Sequence, residues 1–318
     1  MSANQRPMFT AVSSSVRHLI QILKCISLSS KAHAQISDIG IRFSVQDSRV
    51  MQGFAFLQKE LFSSYKYAQA SEEDDHPILQ ISLESLLETL QIFGLSESSN
   101  RWSDNTYGGV SNILARGDPS TAFDSRLLGT AGVCKFSYAR IGSPLDIILE
   151  ESGITTTCEL TAYEPDLLPD IPFDKAAIIQ KIIIRSDLLL DAINELASTS
   201  PEKITMTASG SGRHFSLSSD GPHGSASVEF SPDPQVLETF EVVQRVTNTY
   251  KYSLIKATNR AMAMASKVSI RVDYQGVLSL QFLIELDTGL KNFIDFRFIP
   301  YLEENDQIGE DNADDFED

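Results

Sequence analysis

The residues whose types and spacing could do chemistry fall into two sets of opposite charge. Glu84 and Glu88, and Asp187 and Asp191, are i, i+4 pairs, and Glu72-Glu-Asp-Asp75 is a run of four acids. Two-metal hydrolysis of nucleic acid needs carboxylates that converge within a few ångströms. Each pair reads more simply as one exposed helix face without a histidine beside it, and the run as a solvated loop. The five histidines (His18, His33, His76, His214, His223) form no HxxxH or HExxH set, so no metal site is expected. No GxxxxGK[ST] or GxGxxG motif occurs; Gly210-Ser-Gly212 precedes a strand and reads as a turn, so neither ATP nor any other cofactor is expected. The second set is basic. Arg17, Gln21 and Lys24 are spaced by 4 and 3, and Lys256 and Arg260 are i, i+4, with Asn259 beside them and Lys251 just before. Long cations on one helix face can touch phosphates without reading bases. From spacing alone, the same residues are ordinary solvated helix faces.

Four segments with helical periodicity would carry these side chains. Over 13–27, Val16, Leu19, Ile20, Leu23 and Ile26 share a face opposite Arg17, Gln21 and Lys24, with Ser13 as N-cap. Over 82–93, Leu83, Leu86, Leu87 and Leu90 point inward and Gly94 stops the helix. Over 186–197, Leu189, Ile193 and Leu196 face in and Ser186 caps. The fourth, 252–265, is rich in Ala and Met. Most of the remainder reads as strand: 40–45, 50–57, 145–149, 154–160, 213–217, 267–272, 277–285 and 292–299. Asp273-Tyr-Gln-Gly276 and Asp287-Thr-Gly289 mark two hairpins.

These elements repeat. The helix at Ser13 has its counterpart at Ser186, the strand at Gly40 at Gly212, and the helix at Ser82 at Ser253, offsets of 171 to 173 residues. The offset then drops to about 133, because the Ser/Gly/Asn-rich stretch 96–131 has no counterpart and reads as an inserted surface loop. Between the halves, Tyr163-Glu-Pro-Asp-Leu-Leu-Pro-Asp-Ile-Pro172 reads as an extended linker rather than packed structure. The expected organisation is a first domain at 8–162, a linker at 163–177, a second domain at 178–302 and a disordered acidic tail at 303–318.

Composition limits the alternatives. Of 318 residues 42% are apolar, enough for one or two cores. Three widely spaced cysteines (Cys25, Cys134, Cys158) exclude a disulfide scaffold or a zinc ribbon and suit a reducing compartment; Cys25 reads as core packing. No apolar run approaches 18 residues and no signal-peptide layout opens the chain, so a soluble intracellular protein is expected. The net charge of −17 argues against nucleic acid until its distribution is considered. The tail holds nine acids and no base, and without it the charge is −8.

A duplicated α+β unit with helices on one face of antiparallel sheets resembles the DNA sliding clamps, and most closely the Rad-one-type subunits of the 9-1-1 checkpoint clamp, a PCNA-like family. The likeness runs through Ser15-Val-Arg-His-Leu-Ile-Gln-Ile-Leu-Lys-Cys-Ile26, Gly40-Ile-Arg-Phe-Ser-Val-Gln-Asp-Ser48, Leu83–Gly94 and Gly153-Ile-Thr-Thr-Thr-Cys158. It continues through Tyr250-Lys-Tyr-Ser-Leu-Ile-Lys256 and Lys267-Val-Ser-Ile-Arg-Val-Asp-Tyr-Gln-Gly-Val-Leu-Ser-Leu-Gln281. The insertion and the acidic tail depart from it.

The resemblance implies two repeated domains with sheets outside and four helices lining a channel. Arg17, Gln21, Lys24, Lys251, Lys256, Asn259 and Arg260 would then face double-stranded DNA without sequence preference. Edge strands would close the ring, through Ile154, Thr156, Cys158 and Leu160 of the first half and Ser225, Ser227, Val228 and Phe230 of the second. Partner peptides would dock on Leu167, Leu168, Ile171, Pro300 and Tyr301. The implied partners are Rad-nine-like and Hus-one-like clamp subunits, a checkpoint clamp loader and repair enzymes, in the nucleus. The acids on the second and third helices make the channel lining mixed in sign, which favours a heteromeric ring over a homotrimeric replicative clamp. A 3′–5′ exonuclease, an activity attached to this family's name, is the alternative from another class.

Overall fold

The computed structural model describes residues 6–68, 76–94, 133–151, 153–166 and 169–302. The acidic run Glu72-Glu-Asp-Asp75, the insertion 96–131, Leu167, Leu168 and the tail lie outside the described residues. In the first half, β1 (Phe9–Ser13) leads into α1 (Val16–Cys25), followed by β2 (Lys31–Ile36), β3 (Gly40–Asp47), β4 (Met51–Gln58) and β5 (Ser64–Tyr67). Then β6 (Ile78–Ser82) leads into α2 (Leu83–Gly94), β7 (Val133–Tyr138), β8 (Leu145–Glu151) and β9 (Ile154–Leu160). The second half runs in the same order. It comprises β10 (Ile178–Arg185), α3 (Ser186–Leu196), β11 (Lys203–Ser209), β12 (His214–Gly221), β13 (Gly224–Phe230) and β14 (Thr239–Val242). It ends with β15 (Val246–Lys251), α4 (Tyr252–Ala257), α5 (Asn259–Met264), β16 (Lys267–Asp273), β17 (Leu278–Glu285) and β18 (Lys291–Phe298).

The strand order reveals the duplication. One half supplies β5-β1-β7-β8-β9 and β4-β3-β2-β6; the other supplies β14-β10-β16-β17-β18 and β13-β12-β11-β15. Shifting every label by nine turns one pair of sheets into the other. The halves join because β18 pairs antiparallel with β4, which makes a continuous nine-stranded sheet. Burial alternates along most strands: in β1, Phe9, Ala11 and Ser13 are buried while Thr10 and Val12 are half-buried, so one face turns to the core and the other outward. The helices complete the cover: Leu19, Ile22 and Leu23 of α1, Leu83, Leu86 and Leu90 of α2, and Leu189 and Ile193 of α3 are fully buried.

Helix ends depart from expectation in detail. Ser13 is the last residue of β1, not a cap; its Oγ accepts from the Ser15 N–H at 3.3 Å, and Ser15 holds the N-cap position. Ser186 is already inside α3, and its Oγ donates to the Met262 carbonyl. Ser82 does cap α2, accepting from the Ser85 N–H at 3.1 Å. The fourth helix is broken into α4 and α5 by a turn at Thr258, whose Oγ1 donates to the Ile255 carbonyl at 2.8 Å.

The hairpin at 273–276 is more than a turn. Asp273 is buried, and its Oδ1 accepts from the N–H groups of Gln275 and Val277 at 3.0 Å each. Gly276 sits at φ +81°, a conformation that favours glycine. Its carbonyl accepts from the Tyr250 hydroxyl at 2.8 Å, tying β15 to the hairpin.

Candidate functional site

The helices form one row: α2 packs on α1, α1 on α5, and α5 on α3. Arg17, Lys256 and Arg260 are exposed, and Gln21, Lys24 and Asn259 are half-buried. The structure brings Lys24 and Arg260 together across the joint between the halves, with Arg260 Nη1 3.5 Å from the Lys24 carbonyl. Beneath them, Cys25 Sγ and Met264 Sδ are 3.5 Å apart. Burial pushes the Cys25 thiol up to about 12, which fits packing rather than reactivity. Lys24 Nζ also reaches Gln91 of α2 at 3.4 Å, and Asn259 donates to Asn194 of α3 at 3.4 Å. Arg17 stands apart, 4.0 Å from Asp287 in the β17–β18 hairpin. Lys251 lies at the strand–helix corner rather than on a helix face.

The charge across this row is graded. Its middle, α1 with α4 and α5, presents Arg17, Lys24, Lys256 and Arg260. Its flanks present acids: Glu84 and Glu88 on α2, and Asp187, Asp191 and Glu195 on α3, all exposed. Asp187 is paired with Arg185, and that hydrogen bond holds its carboxyl below the usual range. Among the described residues Asp191 and Glu195 have no ion-pair partner, and Glu195, which continues the i, i+4 series of Asp187 and Asp191, was not singled out from the sequence. Among the described residues, no group of three or more His, Cys, Asp or Glu is placed to hold a metal ion.

The edge strands follow from the repeat. β9 and β13 end their sheets. Their counterparts are β18 and β4, the two strands that pair at the centre of the chain. Inward residues Ile294, Phe296 and Phe298 of β18 are buried, whereas Thr156, Cys158 and Leu160 at the matching positions of β9 are half-buried. Gly53 and Ala55 of β4 are buried, whereas Ala226 and Val228 of β13 are half-buried. Ile154 is 61% exposed, and Ser225 and Ser227 point to the outer face. Phe230, at the end of β13, is buried and stacks on Phe215.

Two other edges are covered by a device the sequence reading missed. After β9, Tyr163 bridges to Gln80 of β6 through both N–H···O bonds, at 2.8 and 3.2 Å. After β18, the Tyr301 N–H donates to the Thr249 carbonyl of β15 at 2.8 Å. The signal was a tyrosine three residues beyond each half's last strand.

The linker is fastened where it was expected to be loose. Gln52 of β4 donates to Asp170 Oδ1 and accepts from the Ile171 N–H, both at 2.7 Å. Arg42 pairs with Asp170 at 2.6 Å, and Arg297 donates to the Ile171 carbonyl at 2.6 Å. Arg42 and Arg297 both lie over the Phe54 ring. Ile171 is only 3% exposed, so its side chain packs locally and offers no docking contact in this conformation. Pro300 is half-buried, while Tyr301 is exposed beneath the Lys203 ammonium, in a separate cleft with Thr205 and Thr249. His33 lines a small pocket beside Asp170, and burial lowers its pKa.

Residues 8–284 match the model of the family described as repair protein Rad1/Rec1/Rad17. The chain is 31% identical over 285 residues to the human cell cycle checkpoint protein RAD1, covering 90% of this chain and 89% of that protein. It is 30% identical over 297 residues to the DNA damage checkpoint control protein rad1 of Schizosaccharomyces pombe, covering 92% and 86%. It is 25% identical over 326 residues to the DNA repair exonuclease REC1 of Mycosarcoma maydis, covering 81% and 69%.

Proposed function

The chain belongs to the Rad1/Rec1/Rad17 family of repair proteins, and from that premise we propose that it is one subunit of a heterotrimeric 9-1-1 clamp that encircles DNA at damaged sites and scaffolds checkpoint signalling and repair. The observation that carries the reading is the repeat equivalence of β9 with β18 and of β13 with β4. The chain already contains one β18–β4 seam. A neighbour bringing a β13-type edge to β9, and another bringing a β9-type edge to β13, would reproduce that seam at each end. Two different patches, joined head to tail, close into a ring when the rotation allows.

The seam also supplies a register. Phe296 opposes Gly53 and Ile294 opposes Ala55. By equivalence, Cys158 faces the neighbour's Ala226-type position and Thr156 its Val228-type position. Main-chain pairing holds the strands, and the inward side chains finish a core left half-open at each end. Arg17, Lys24, Lys256 and Arg260 would line the channel and meet phosphates loosely, with Gln21, Lys251 and Asn259 contributing polar reach, so the ring slides without reading sequence. The other subunits are Rad-nine-like and Hus-one-like clamp proteins, a checkpoint clamp loader opens the ring, and the site of action is the nucleus. Pro300 and Tyr301 remain the apolar candidates for partner peptides.

The protein on this reading acts by encirclement and not by catalysis. A family relative is named as an exonuclease, but the acids that suggested hydrolysis here stand on separate helices, and Asp187 is engaged by Arg185. Light scattering tests the reading. A monomer that joins the two other clamp subunits in a 1:1:1 complex supports it, and a self-assembled trimer overturns it.

A further inference from the structure

The central seam does more than pair strands: it brings two helix C-termini together. Lys24 and Cys25 close α1, Met264 closes α5, and Arg260 stands in the first turn of α5. These ends meet at the 3.5 Å contact of Cys25 with Met264, and the Arg260 guanidinium reaches the Lys24 carbonyl at 3.5 Å. Each helix C-terminus carries partial negative charge from its aligned peptide dipoles. Two such ends in contact repel unless cations are near, and here the α1 end has two, Lys24 in its own last turn and Arg260 reaching its carbonyl from α5.

The outer ends lack this arrangement. By the repeat, α3 corresponds to α1 and α2 to the α4–α5 segment, so α3 would meet a neighbour's α2-type helix. Neither α2 nor α3 contains a basic residue, whereas α1 has Lys24 and α5 has Arg260. Their exposed faces carry acids instead: Glu84 in the first turn and Glu88 in the middle of α2, and Asp191 and Glu195 in the second half of α3. Lys24 reaches Gln91 of α2 from the α1 side, toward the middle of the chain. The hydroxyls of Ser198 and Thr199 bond the carbonyls of Glu195 and Leu196 but bring no charge.

We propose that Glu84 and Glu88 at one end, and Asp191 and Glu195 at the other, select neighbours whose facing helix brings Lys or Arg to the seam, and thereby exclude a second copy of this chain. The inference rests on the ring reading above and deepens it. A second copy docking through its β9 and α2 would set the acids of α2 against Glu195, at the C-terminus of α3 that is already negative. Like charges in this position oppose association. A clamp-type partner with a cation at the position corresponding to Arg260 restores the pattern of the central seam.

The test is sedimentation velocity on the full-length chain, unmodified and as the variant E84K/E88R, together with pairwise binding to each of the other two clamp subunits. The unmodified chain is expected to be monomeric. E84K/E88R is expected to self-associate at least about tenfold more tightly, and to lose affinity for the subunit that docks on β9. The variant D191K/E195K is expected to weaken only the subunit that docks on β13. All four positions are exposed, and an unchanged thermal unfolding curve confirms that the variants fold. Self-association of the unmodified chain, or a monomeric E84K/E88R, overturns the inference. If the unmodified chain joins neither subunit, the ring reading itself fails, and the self-association arm still decides the charge argument.

Discussion

Phe296 of β18 lies opposite Gly53 of β4, and a Cβ at position 53 would come within 2.7 Å of its ring. The joint between the halves is built on this pair: the bare backbone of one strand admits the aromatic ring of the other. Gly53→Ala forces the ring and Val45 to move, since Val45 Cγ2 would be 3.3 Å away. The expected cost is about 1–3 kcal/mol, read as a lower urea midpoint. At the matching position of the free edge β13, Ala226→Val should change the stability of the isolated chain by no more than about 0.5 kcal/mol and weaken assembly instead. An unchanged midpoint for Gly53→Ala would contradict the packing described.

Much of this arrangement was legible, because periodicity and repeat act locally. The stripe from Val16 to Ile26 placed α1, and the offsets of 171 to 173 pointed to a duplication that the strand order shows directly. The bounds of β9 agree with the sequence pattern. Short strands beside helices were missed. Phe9–Ser13 alternates over only five residues before a serine run, and the helix signal absorbed its last serine. The linker was misread for a different reason. Three prolines and three acids describe a solvated spacer, but Arg42, Gln52 and Arg297, which hold Asp170 and Ile171, are each more than one hundred residues away in sequence. Ile171 looked available for docking because nothing local reveals that fastening.

The linker clamp makes its own prediction. Gln52 is buried and uses both ends of its amide on the linker. Gln52→Ala leaves the Ile171 N–H without its partner and should cost about 1–3 kcal/mol. Gln52→Glu retains an acceptor for that N–H but sets a carboxylate against Asp170, so it should also destabilise. Hydrogen exchange should rise across 169–174 in both variants while β10 remains protected. Equal protection of the linker in Gln52→Ala and the unmodified chain would show that Gln52 does not hold it.

The thiols report on the edge and on pH. Cys25 and Cys134 are buried, and burial pushes both thiols up to about 12. At pH 7 about one molecule in 10⁵ carries either as thiolate, so iodoacetamide should find Cys158 first, half-buried on β9. Addition of the subunit that pairs with β9 should slow that reaction at least about tenfold; an unaltered rate in the assembled complex would remove Cys158 from the interface. The raised values also set a stability profile. Between pH 9 and 12 the unfolded chain gives up thiol protons that the native chain keeps. Stability from this source is therefore intact below pH 9 and falls as pH climbs, by up to about 1.4 kcal/mol per pH unit for each thiol. Burial likewise raises the Tyr65 and Tyr250 hydroxyls, which adds to the loss above pH 10. Thermal unfolding from pH 7 to 11 should show this decline.

The cations of the helix row are the last test of the proposed ring, because their removal separates contact with DNA from assembly. Arg17, Lys256 and Arg260 are exposed, and Lys24 is half-buried, so R17E/K24E/K256E/R260E should fold, with a lower thermal midpoint because Lys24 and Arg260 meet at the central seam. Arg260 also touches the α1 end at the central seam. R260Q therefore serves as a control for lost seam contact without charge reversal. With the two partner subunits supplied, the fourfold variant should still form the complex. Its retention on nicked circular DNA should fall, and the logarithmic salt dependence of that retention should become shallower by about 0.9 for each phosphate contact removed. A slope that stays the same while retention falls would place the defect in loading. If neither retention nor slope changes, these four residues do not face DNA.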